Sequence, residues 1–66
     1  MSIAAKNLYI LALGKNPSFK ERVYEYRQLD SHTIKMRLVN PPETVIFRYH
    51  SAFSWAFMSE KYYKNY

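Results

Sequence analysis

The chain has 66 residues, ten Lys and Arg against five Asp and Glu, a formal net charge of +5 and no Cys. That length holds one small domain, and the composition excludes a disulfide scaffold, a thiolate metal site and a multidomain cofactor enzyme. Hydrophobic residues make up 48% of the chain, with seven Tyr, four Phe and one Trp, so a folded core is expected rather than a disordered tail. A domain this small buries only roughly 60% of its unfolded surface, which calls for dense aromatic packing, a partner chain or both.

In chain order, the first predicted element is a helix over residues 2–13, with Ser2 as N-cap and Gly14 as its left-handed end. Its apolar side chains point nearly all round, and only Lys6 and Asn7 are polar inside it. Such a helix is buried on more than one side, so a homodimer or another protein partner is expected, with Leu8 and Leu11 at the contact. The run Leu8 to Leu13 is shorter than a leader's apolar region, and no stretch of about 20 apolar residues exists to span a membrane. A soluble, cytoplasmic protein is the expectation.

Lys15-Asn16-Pro17-Ser18 reads as a loop. Three alternating runs rich in β-branched and aromatic residues follow, at 22–29, 33–39 and 44–50. Their connectors, Asp30-Ser31-His32 and Asn40-Pro41-Pro42-Glu43, are short enough to force antiparallel neighbours. With Leu29 opposite Thr33 and Val39 opposite Thr44, one continuous apolar face results: Tyr24, Tyr26, Ile34, Met36, Leu38, Val45, Phe47 and Tyr49. The tail from Ser51 to Tyr66 reads as a second helix, packing Trp55, Tyr62 and Tyr63 on the sheet and turning Phe53 and Phe57 outward as an apolar ridge for a protein contact. The expected fold is α+β: a three-stranded antiparallel meander with an N-terminal and a C-terminal helix on one face, in the order α-β-β-β-α.

That register leaves the other sheet face open and basic. It sets Glu25 beside Arg37 and Ile46, Arg27 beside Lys35 and Arg48, and Thr33 beside His50. Three cations in one row are locally costly unless an anion sits among them. The candidate anion or nucleic-acid site is therefore Arg27, Lys35, Arg37, Arg48 and His50, with DNA or RNA phosphate as the natural partner.

Catalytic signals are absent. One Gly cannot make a phosphate loop, the two His lack metal-ligand spacing, and five scattered acidic residues offer no general-acid pair. No metal, cofactor or small-molecule ligand is expected. A helix followed by a basic antiparallel sheet loosely resembles the small RelE-type ribonuclease toxins, over Arg22 to His50 and in shape and charge alone. Those toxins have a longer chain and a larger sheet. The resemblance implies metal-independent RNA cleavage by Arg27, Lys35, Arg48 and His50. The leading expectation is instead a non-enzymatic interaction protein, a phage- or plasmid-type accessory factor, associating through its apolar helices and taking an anionic partner on the basic face.

Overall fold

The computed structural model describes residues 3–64. The α+β class is as expected, but the sheet has four strands. The order is α1 (Ala5–Lys15), a 3-10 turn (Pro17–Glu21), β1 (Val23–Asp30), β2 (Thr33–Leu38), β3 (Glu43–Ser51), β4 (Ser54–Ser59) and α2 (Glu60–Lys64). The strands form one antiparallel meander, β1-β2-β3-β4.

Helix α1 starts later and ends later than its composition suggests. Ser2 lies outside the described residues, Ala4 is the N-cap without a side-chain cap bond, and Gly14 sits inside the last turn with no left-handed backbone. Leu8 and Ala12, one turn apart on the same face, are fully buried against the sheet, and the small Ala12 side chain lets the helix approach closely. Tyr9 stacks on Tyr26 of β1 at 4.5 Å. The segment before the helix is tied to the β1–β2 turn: Ile3 N–H donates to Ser31 O at 3.1 Å, and Gln28 Nε2 donates to Ile3 O at 2.6 Å. Leu8 therefore belongs to the core rather than to a contact with another chain.

The core face is almost the one expected from alternation. Ile34, Met36, Leu38, Val45 and Phe47 are buried with Leu8, Ala12 and Phe19. Tyr24 and Tyr26 are the exceptions, 61% and 38% exposed. The β1–β2 ladder is irregular between Val23 and Glu25, so Val23 rather than Tyr24 pairs with Leu38. A second irregularity, between Gln28 and Asp30, puts Asp30 instead of Leu29 opposite Thr33. Asp30 Oδ1 accepts the His32 N–H at 2.8 Å, the side-chain turn that suits Asp at this position.

The β2–β3 pairing differs from the expected one by two residues. Leu38 faces Glu43, Met36 faces Val45, Ile34 faces Phe47 and Thr33 faces Arg48. The turn comprises 39–42 rather than 40–43, so each strand end moves by one residue. Pro41 and Pro42 have no N–H for a ladder, and Asn40 adopts a left-handed φ of 56° before a cis peptide to Pro41. Arg22 closes this turn from outside. Its Nε donates to Val39 O and its Nη2 to Pro41 O, both at 2.9 Å, and its guanidinium pairs with Glu43. Val39 N–H in turn donates to Arg22 O. A slip of two is even, so every side chain keeps its face.

The expected second helix over 51–66 is overturned for its first half. Ser51 to Ser54 form a hairpin end, with Ser51 opposite Ser54, and Ser54–Ser59 pairs with β3. This stretch fits both periods. Trp55 suits a helix face with Ala52 and Ser59 or a strand face with Phe57, and the aromatic partners Tyr49 and Phe47 across the ladder select the strand. Phe57 packs on Phe47 at 4.9 Å and edge-on against Phe19 at 5.4 Å. Phe53 stands alone at the hairpin tip, 99% exposed. The expected Phe53–Phe57 ridge is therefore split. Helix α2 begins only at Glu60, where Ser59 Oγ caps it by accepting the Tyr62 N–H at 3.1 Å. Tyr66 lies outside the described residues.

The two helices also lie on opposite faces. Lys35 points away from its buried neighbours Ile34 and Met36, and its Nζ meets Glu60 of α2 at 2.9 Å. Ile46, on this second face, is fully buried outside the main core cluster. The second face is thus partly roofed by α2 rather than open. No helix among the described residues is long and apolar enough to cross a membrane.

Candidate functional site

The second face carries Arg27, Lys35, Arg37 and Arg48, as alternation requires. The two-residue slip rearranges them. Arg27 still faces Lys35, but Ile46 occupies the next place in that row, and Arg48 moves one row on, opposite Thr33. The expected row of three cations is broken. Lys35 is compensated by Glu60, and Arg37 lies 3.6 Å from Glu25. Arg27 is exposed.

Arg48 is held by several groups. Its Nε lies 3.4 Å from the Thr33 hydroxyl, and its guanidinium sits 5.9 Å from the centre of the Tyr63 ring. Thr33 is fully buried. His32 and His50, from the two hairpin ends, meet with ring centres 4.9 Å apart. His32 is fixed through its backbone, whose carbonyl accepts the Tyr49 N–H at 2.9 Å, while its Nδ1 is buried with no hydrogen-bond partner among the described residues.

Asp30 completes this end of the sheet. Burial works to raise its pKa. The His32 backbone N–H, the Thr33 side chain and the fields of Arg48 and His32 outweigh that effect, and the carboxyl lies below its ordinary 3.8. A depressed carboxyl pKa means that the unfolded chain binds the proton first on acidification. The Asp30 contribution to stability is therefore complete above the unfolded value and is lost as pH falls through the folded one. Urea melts between neutral and strongly acidic pH should show the native chain losing resistance below about pH 4, with that component missing in Asp30→Asn. Superimposable pH profiles would show that the carboxylate is not coupled to folding.

Beside this polar cluster, a groove of about 650 Å³ runs along β4, lined by Arg48, His50, Ala56, Met58 and Tyr62 among others. Two of the residues singled out from sequence, Arg48 and His50, line it. Arg27 and Lys35 lie farther across the same face, and Arg37 is one row beyond them. Leu8 is packed inside, Leu11 and Phe57 are half-buried, Phe57 against the core and at the groove wall, and Phe53 is far out on the hairpin tip. Sequence reasoning missed Tyr62, whose ring is 58% exposed at the groove rather than packed on the core. The alternation in Ser54–Ser59 was the available signal, because a strand there starts α2 late and turns Tyr62 toward β4. Among the described residues no cluster of three or more His, Asp or Glu is placed to hold a metal ion.

The chain matches no family model, no curated protein and no solved structure. Its function therefore rests on the chemistry of this face.

Proposed function

We propose that the chain is a small non-enzymatic binding protein that takes a single-stranded nucleic acid on the second face of its sheet. The observation that carries the reading is one groove lined by a guanidinium, an imidazole and an exposed aromatic ring, Arg48, His50 and Tyr62. Single strands are held where cations track the phosphates and an aromatic face accepts a base. Arg27 extends the positive surface, and the net charge of +5 supplies long-range attraction.

The test is fluorescence anisotropy with short labelled RNA and DNA strands. Three phosphate contacts, at a slope of about 0.7 each for a single strand, should weaken binding roughly 18-fold between 50 and 200 mM salt. The double variant Arg27→Glu/Arg48→Glu should not bind, and Arg27→Glu alone, which disturbs no packing, should flatten the salt dependence. Tyr62→Ala should lose about tenfold or more while keeping that dependence, because stacking is not electrostatic. Binding unchanged in the double variant removes the reading. Intact strands after incubation support binding without catalysis, whereas cuts suppressed by His50→Ala transfer the site to metal-independent RNA cleavage.

A further inference from the structure

Among the described residues lining the groove, His50 alone is of a side-chain type that changes charge between about pH 5 and 8. It is exposed near the end of β3, and its ring meets that of His32 at 4.9 Å with the planes tilted by 36°. His32 is anchored through both groups of its backbone. Its N–H donates to Asp30 Oδ1, and its carbonyl accepts the Tyr49 N–H. The His32 ring therefore backs His50 from the β1–β2 turn. Other elements bring few ionisable groups to this end. β4 brings none, β3 itself brings Arg48, and α2 brings Tyr62, its Glu60 being engaged by Lys35. The β1–β2 turn brings Asp30, whose carboxyl lies below its ordinary 3.8 and so stays ionised across that range.

We propose that single-strand binding in this groove takes up a proton at His50, so that the complex tightens as pH falls. This regulation rests on the reading of the groove as a nucleic-acid site. A phosphate beside the ring favours the imidazolium over the neutral imidazole, and that preference appears as proton uptake on binding. The proton goes to His50 rather than to His32. A charged imidazole carries an N–H at both nitrogens. The Asp30 carboxylate is taken up by the His32 backbone N–H, and His32 Nδ1 is buried with no hydrogen-bond partner among the described residues. A proton placed there would make a buried N–H with nothing to donate to. His50 is exposed at the groove wall, where a phosphate can accept from it. With one proton exchanged, affinity changes by at most about tenfold per pH unit.

The test is anisotropy with an oligothymidylate carrying a dye, neither of which titrates in this range. Binding should be roughly tenfold tighter at about pH 5.5 than at about pH 8, the low end for a hydrogen bond to a charged group. The salt slope should steepen by about 0.7 on acidification, one further phosphate contact. His50→Gln should bind equally at both pH values. His32→Phe, which keeps a ring beside His50, should retain the dependence. Imidazole proton resonances followed against pH locate the proton even if His32→Phe fails to fold: the strand should move the His50 titration to higher pH and leave that of His32 in place. Equal native affinity at both pH values, a dependence surviving in His50→Gln, or an upward move at His32 alone overturns proton uptake at His50 and leaves the groove as the binding site. No binding at either pH removes the nucleic-acid reading and this regulation with it.

Discussion

Replacing Phe47 by Ala is expected to leave a chain that is scarcely folded at room temperature. Phe47 is fully buried, lies opposite Ile34 on one side and Phe57 on the other, and its ring centre is within 4.9–6.3 Å of those of Phe57, Tyr49 and Trp55. Deleting a buried Phe side chain costs about 3–5 kcal/mol in transfer and cavity terms. A chain of this length has roughly 3–10 kcal/mol of total stability at about 0.05–0.15 kcal/mol per residue. The substitution thus consumes a third or more of it. The aromatic chain from Phe19 through Phe57 and Phe47 to Trp55 also joins the 3-10 turn, β3 and β4, so one vacancy loosens three elements together. Urea unfolding followed by circular dichroism measures the effect. Phe53→Ala is the matched control, since that ring is solvated at the hairpin tip and its loss should leave the midpoint unmoved. A Phe47→Ala midpoint close to that of the native chain would mean that the core is not organised around this ring.

Arg22→Ala is expected to destabilise by about 1–2 kcal/mol, the range for hydrogen bonds from a charged donor when the abandoned acceptors can still reach water. The guanidinium ties two turn carbonyls, Val39 and Pro41, to the Glu43 carboxylate. A point charge does not reproduce that planar fork, so Arg22→Lys should recover little. In a domain of this size the loss is worth roughly 4–16 °C of melting temperature. The signature that separates a clamp from ordinary surface charge is local: amide exchange should quicken first in 38–44. An unshifted melt with unchanged exchange would show that the two prolines hold the turn unaided.

The lengths and alternation of β1, β2 and β3 were legible because the pattern has period two and turn residues bound each run. The faces were legible for the same reason, and they survived an error in register because the slip was even. The register itself was not legible. Whether Val39 or Glu43 belongs to the turn depends on Arg22, seventeen residues upstream of Val39, and no local pattern announces that contact. The tail failed for a different reason. Trp55 fits a helical face with Ala52 and Ser59 as readily as a strand face with Phe57, and the choice is made by Tyr49 and Phe47 across the ladder. Moving that segment from helix to strand turned Phe57 inward, isolated Phe53, and sent α2 to the opposite face. There it compensates Lys35 through Glu60 and sets the Tyr63 ring beside Arg48 instead of leaving those cations bare. Of the candidate anion site, the shared face of Arg27, Lys35, Arg37 and Arg48 was readable, while the groove that receives Arg48 and His50 required β4 to exist.

Trp55 is the chain's single indole, and the Lys15 ammonium sits 5.0 Å from its ring centre. Lys15 is the last residue of α1, and Trp55 lies near the start of β4, so this contact pins the end of the helix to the far side of the sheet. Intrinsic emission therefore watches one specific joint, with no label to introduce. A red shift that precedes loss of backbone signal on heating would record the helix lifting away while the meander is still intact. A shift coincident with it would record a single cooperative unit.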